Sequence, residues 1–324
     1  MTLLNNTQPF PCASYIREIG RGSRSGRDLS RQDAKILYGA ILAGRVSDLE
    51  LGAILIAYRI KSESVQELAG MMDAVQDAVQ MLDWNVTTPV VIPSYNGARK
   101  RPNLVPLLAA MLAQRGVPVL IHGVLSDPGR ITTAEILSLM GIAAARDHLA
   151  IKHGLDQDRL AFAPIETLAP ALASQLSLRA TLGVRNSAHT LAKMLQPFRS
   201  PALRLVNYTH AAYGDTLSEY FRLPDTAGHA GVLLSRGTEG EAAADATLPR
   251  EAVWLHDGGT EILIPATEKD LRDSPLLPES VSAAETAIWT TRVLAGQLEA
   301  PKAIAAQVDA IVKLCERTSR TTPG

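Results

Sequence analysis

Basic side chains set among glycines are the strongest chemical signal in this chain. Between residues 17 and 31, Arg17, Arg21, Arg24, Arg27 and Arg31 are opposed only by Glu18 and Asp28. Gly20, Gly22 and Gly26 interrupt any helix there and let the backbone approach a ligand closely. A second segment, Asn96-Gly97-Ala98-Arg99-Lys100-Arg101, places three consecutive bases after a turn. Arg179, Arg185, Lys193 and Arg199 follow at wider spacing. Guanidinium groups take phosphate oxygens through paired, charge-assisted hydrogen bonds, so these segments could recognise phosphate. The same residue types also suit solvated turns. Arg179 and Arg185, taken singly, also suit ion pairs with carboxylates.

The sequence marks no nucleophile and no metal-ligand set. Of the seven histidines, His148 and His153 stand five apart, the wrong spacing for one helical face, and no H-E-x-x-H occurs. A lone His122 reads as a satisfied structural group. Ser187 and His189 are close in sequence, but no G-x-S-x-G frames the serine. Cys12 and Cys315 lie at opposite ends without a C-x-x-C, so a reduced cytoplasmic setting is expected. The apolar stretch 51–58 is far short of the ~20 residues a membrane span needs, and no membrane association is expected.

These residues need elements to position them. The 324 residues allow two domains, and 46% apolar with 20% charged content is that of an ordinary globular protein. The net charge of −1 hides an asymmetry: the chain is net basic through residue 235 and net acidic beyond it. Ser47-Asp-Leu-Glu50 and Ser64-Val-Gln-Glu67 are capping boxes, and Ser30-Arg-Gln-Asp33 is a weaker one. They open helices over residues 30–83, the third expected to run from Ser64 to about Leu82, with Gly44 ending the first. From Pro89 the pattern alternates. Strands are expected at 90–92, 117–121, 203–206, 231–234, 253–255 and 261–264. Helices are expected at 103–114, after Thr132, at 210–221 and after Ser282, with a break at Pro301. Strands alternating with helices imply a sheet covered by helices.

Four stretches in this order resemble the nucleoside phosphorylase and anthranilate phosphoribosyltransferase superfamily, glycosyltransferase family 3. They are Leu29-Ser30 through Gly44; 57–62 with Glu67-Leu-Ala-Gly70; Gly116-Val-Pro-Val-Leu-Ile-His122-Gly123; and Arg179-Ala-Thr-Leu-Gly183-Val-Arg185. The resemblance implies an α/β fold: a small N-terminal helical domain over 1–85, joined by a helical segment near 166–183, and a larger α/β domain over 86–324 with a central mixed sheet. It also implies a homodimer through the helical domain.

The family's chemistry uses three constellations, and this chain departs from each. The glycine-rich pyrophosphate loop becomes Pro93-Ser-Tyr-Asn-Gly97-Ala98, leaving Gly97 and Asn103 as remnants. The K-H-G-N-R-S contact motif becomes Ile121-His122-Gly123-Val-Leu-Ser126. The D-G-L-D-E magnesium motif places Ala242 and Ala243 where the ligands should be, with Glu241 and Asp245 nearby as stand-ins. Gly97, Asn103, His122 and Gly123 are therefore the residual family pocket. No catalytic residue, metal or cofactor is assigned.

The openings Gly20 to Ser30 and Arg236 to Asp245 resemble the YbiB-type branch, whose members bind nucleic acid. That resemblance implies low-specificity binding of DNA, and of RNA. Read from the residues, Arg21, Arg24, Arg27, Arg99, Lys100, Arg101, Arg179, Arg185, Lys193 and Arg199 are the cations expected to hold the phosphate chain, and Tyr95 is expected to stack a base. The alternative is a phosphoribosyltransferase using phosphoribosyl pyrophosphate with an altered acceptor.

Overall fold

Serine caps set the register of the first helices. The computed structural model describes residues 8–22, 25–248, 250–257, 259–266 and 277–319. Helix α1 spans Ala13–Ile19, α2 Arg31–Leu42, α3 Asp48–Lys61 and α4 Val65–Ala78. Ser47 and Ser64 form complete capping boxes with Glu50 and Glu67, and Ser30 accepts the Asp33 N–H. Gly44 follows α2 at φ +68°, where a side chain would be strained. Helix α4 stops at Ala78, short of Leu82, because Val79 turns extended at ψ 137°.

Two devices join these helices. Buried Lys61 pairs with Glu67, which is fully buried and also accepts the Leu29 N–H at 3.0 Å. Gly70 lets α4 touch α2, since a Cβ there would lie 2.0 Å from the Arg31 carbonyl oxygen and 2.8 Å from the Lys35 nitrogen. Gly70→Ala is expected to lower stability at the upper end of the ~1–3 kcal/mol typical of overpacking, because backbone cannot step aside as a side chain can. A urea titration of the variant checks this, and an unchanged midpoint would refute the close contact.

The remaining elements in chain order are β1 (Val90–Ser94), α5 (Val105–Gln114), β2 (Val119–Gly123), α6 (Thr133–Leu139), α7 (His148–Gln157), β3 (Leu160–Pro164) and α8 (Ile165–Leu168). Then come α9 (Pro170–Ser177), α10 (Arg179–Leu182), α11 (Ala188–Met194), β4 (Leu203–Tyr208), α12 (Ala211–Phe221), β5 (Val232–Arg236), β6 (Ala252–His256), β7 (Gly259–Ile264), α13 (Ala283–Leu294) and α14 (Lys302–Ser319). Met1–Gln80 and Ala169–Leu195 form one compact unit, and Met81–Leu168 with Gln196–Gly324 form the other. The returning segment thus starts at Ala169 rather than 166 and runs to Leu195 rather than 183. Helix α8 follows β3 directly, and α11 packs on α4 and α9.

The second unit holds one seven-stranded mixed sheet, ordered β3-β2-β1-β4-β5-β6-β7. The first five are parallel, and β6 and β7 are antiparallel. Strands β1, β2 and β3 are buried along their whole length, as parallel strands covered on both faces must be. Pro93 lacks an N–H, and β1 pairs with β4 only through Val90 and Val91, so the proline sits beyond that pairing. Among the described residues no helix is long and apolar enough to cross a membrane.

Candidate functional site

The chain leaves β1 toward β2 and β3, then returns to β4 on the other side of β1. That reversal is a topological switch point, and open α/β sheets bind ligands at the carboxyl ends of the strands there. Two loops meet at this place, 95–104 after β1 and 237–251 after β5.

Their meeting is electrostatic. One Glu241 carboxylate oxygen accepts the Asn96 N–H and the Gly97 N–H, each at 2.7 Å, and Glu241 is 3% exposed. The Glu239 carboxylate accepts the Arg99 N–H at 2.6 Å and the Lys100 N–H at 2.8 Å. The Asn96 amide donates back to the Gly240 carbonyl at 2.9 Å. Successive amides aimed at one point make a nest for an anion. Here the nest holds two of the chain's own carboxylates. Gly97 (φ +64°) and Gly240 (φ +88°) supply the left-handed turns this needs, and a Cβ on Gly240 would fall 1.7 Å from the Asn96 amide nitrogen.

Two expectations are corrected by this geometry. Glu241 and Asp245 do not stand in as magnesium ligands: Glu241 serves the amides, and Asp245 takes Arg101 at 2.7 Å. Ala242 and Ala243 are each 2% exposed within the apolar core, so neither position offers magnesium an oxygen from a side chain. Tyr95 does not stack a base: it is 5% exposed, and its hydroxyl shares a 2.6 Å hydrogen bond with His122 Nδ1. Burial pushes the Tyr95 pKa well up, with Glu166 and Glu241 adding to the effect, and pushes that of His122 down to about 3.

The other pocket remnants serve the fold. Asn103 accepts the Val105 N–H, opening α5, and donates to Thr133. A Cβ on Gly123 would meet the Ser94 carbonyl oxygen at 1.9 Å, so the glycine permits β1 and β2 to close together.

The basic candidates fall into three groups. Arg99 and Lys100 present exposed side chains with no ion pair among the described residues. Several others are matched by acids, which weakens the expectation of a wholly cationic N-terminal loop. Arg21 and Arg27 share Glu18, Arg31 forks onto Asp73, Arg199 pairs with Asp83 and Arg101 with Asp245. Arg24 lies outside the described residues.

The third group is in the helical unit. Arg185, Arg179 and Lys193 all act on His189, whose pKa burial first and then these charges hold down to about 4. His189 rests against Asn186, and Ser187 donates to the Glu63 carboxylate, so serine and histidine form no dyad. The sequence reading also missed Arg236 and Arg250, exposed cations on the β5 side of the switch point. The R-G-T-E-G-E run that opens on Arg236 was read as a degenerate metal motif and as a mark of the YbiB-type branch, with no binding role given to Arg236 itself, and Arg250 stands outside that run.

A helical bundle followed by this α/β sheet is the architecture of the anthranilate phosphoribosyltransferases. Residues 13–79 match the family described as glycosyl transferase family, helical bundle domain. The anthranilate phosphoribosyltransferase of Thermus thermophilus gives a TM-score of 0.70 at 21% identity, over 95% of this chain and 90% of that one. The Saccharomyces cerevisiae enzyme in complex with PRPP and Mg gives 0.69 at 15% identity, over 95% and 93%. By sequence, the anthranilate phosphoribosyltransferase of Methanopyrus kandleri is 26% identical over 88% of this chain and 84% of its own. YbiB of Escherichia coli strain K12 is 41% identical, over 90% of this chain and 91% of its own length. This chain belongs to the YbiB family.

Proposed function

We propose that this chain binds nucleic acid, DNA and also RNA, with low sequence specificity, on a phosphoribosyltransferase-type fold whose transfer chemistry is lost. The observation that carries the reading is the inversion of the 96–101 loop. Its amides are spent on Glu239 and Glu241, while the side chains of Arg99 and Lys100 point their charge outward. Catalysis of pyrophosphate departure depends on preorganised donors, each worth ~3 kcal/mol, and these donors are engaged. Exposed cations suit a phosphate chain.

The test is fluorescence anisotropy of a labelled single-stranded oligonucleotide against salt. Charge reversal of Arg99 and Lys100 should make the slope of log K on log salt shallower by about 1.4, at ~0.7 per phosphate contact. An unchanged slope removes both residues from the site.

The likeness to the Methanopyrus kandleri enzyme favours a second reading, a phosphoribosyltransferase with an altered acceptor. It requires magnesium-dependent consumption of phosphoribosyl pyrophosphate, and calorimetry without heat from that pair excludes it.

The partner proposed for the helical unit is a second copy. Leu49, Ile56 and Ile60 lie on one face of α3 at 85%, 37% and 58% exposure, a stripe that asks for cover. Sedimentation should find a dimer for the intact chain and a monomer for Ile56→Glu with Ile60→Glu. A dimer that survives both changes places the interface elsewhere.

A further inference from the structure

The carboxyl end of β5 opens on a cleft of 170 Å³ lined by Arg101, Arg236, Arg250, Glu239 and Asp245. The acids on its wall are already engaged. Glu239 holds two backbone amides, and Asp245 takes Arg101 together with the Thr247 N–H, the Thr247 hydroxyl and the Leu248 N–H. Arg236 and Arg250 are exposed and carry no ion pair among the described residues. Two guanidinium groups thus face one small cleft with their donors unspent. Like charges repel, so such an arrangement gains from an anion between them. The planar five-donor fork of each matches phosphate oxygens. The volume is below the roughly 300 Å³ at which whole small-molecule pockets begin, so the cleft fits one group of a longer ligand.

We infer that Arg236 and Arg250, with Arg101 on the same cleft, form a seat for one phosphate of a polynucleotide backbone. The source of the phosphate rests on the nucleic-acid reading above; the seat itself rests on the cleft and its two unspent guanidiniums.

Anisotropy with a labelled single-stranded oligonucleotide separates the two. Arg236→Glu with Arg250→Glu should weaken binding at least tenfold at low salt and make the salt slope shallower by about 0.7, the share of one phosphate contact. Arg236→Gln with Arg250→Gln should shift the slope by the same amount without added repulsion. Arg146→Glu with Arg292→Glu, the same charge change at exposed positions elsewhere in the unit, should leave the slope unchanged. Parallel calorimetry uses inorganic phosphate and pyrophosphate. If the oligonucleotide binds the intact chain and both Arg236/Arg250 variants with one slope, the seat is wrong and the nucleic-acid reading stands. If the oligonucleotide is ignored but pyrophosphate gives heat that either variant abolishes, the seat stands and the nucleic-acid reading falls. If no probe binds the intact chain, both fall.

Discussion

Glu241→Ala is expected to cost the second unit about 3–5 kcal/mol, since it strands two buried N–H groups that a carboxylate now satisfies. At ~2–4 °C per kcal/mol for a unit of this size, the melting temperature should drop by about 6–20 °C. Glu241→Gln keeps an acceptor oxygen in place, so only the charge assistance is lost and ~1–2 kcal/mol is expected. The ordering of the three proteins is the sharper readout. The loop bears costs that the carboxylate–amide bonds offset together with the Asn96–Gly240 and Arg101–Asp245 bonds: Glu239 sits at φ +53°, a left-handed conformation worth ~1–3 kcal/mol of strain in a residue with a side chain. A double variant, Glu239→Ala with Glu241→Ala, leaves four amides without their carboxylates. Millimolar pyrophosphate should raise its melting temperature and leave that of the intact chain unmoved, because in the intact chain the anion is supplied from within. If Glu241→Ala melts with the intact chain, the carboxylate does not hold the loop.

How much of this could be read from residues alone follows from distance along the chain. The capping boxes at Ser47, Ser64 and Thr132 span four residues each, so a local pattern is enough to find them. Strand β3 was invisible: Leu160-Ala-Phe-Ala-Pro164 is apolar without alternation or β-branching, and such a run fits helix or strand equally. The Glu241–Asn96 contact joins residues 145 apart, and a glutamate beside a lost metal motif suits a cation as well as an amide. Charge counting failed for a related reason. Arg101 and Arg99 look alike in sequence, yet only the fold shows that Asp245 claims the first. Tyr95 looked like a stacking platform because aromatic type says nothing of burial. Conversely, Arg236 closed a strand and Arg250 stood alone, so no cluster was evident until β5 and its loop were folded beside the β1 loop.

Acid should weaken the second unit through His122. Its ring is fully buried, 2.6 Å from the Tyr95 hydroxyl, and burial holds its pKa at about 3 against 6.5 when unfolded. Between those values the unfolded chain carries a proton that the folded chain refuses. Stability is therefore intact above pH 6.5, falls as the pH drops, and levels once the folded site also protonates. Each pH unit costs about 1.4 kcal/mol, so the limit near pH 3 is roughly 4–5 kcal/mol. His189, held down to about 4, acts in the same direction on the helical unit. Carboxylates titrate over the lower part of this range in any protein, so the difference between two chains is the measure. His122→Gln can keep the Tyr95 hydrogen bond and cannot titrate. Urea titrations at pH 7, 6, 5 and 4 should show a stability loss in the intact chain steeper than in the variant by up to one proton. Equal slopes would mean that His122 takes up its proton without cost, and that the buried pair with Tyr95 is open to water.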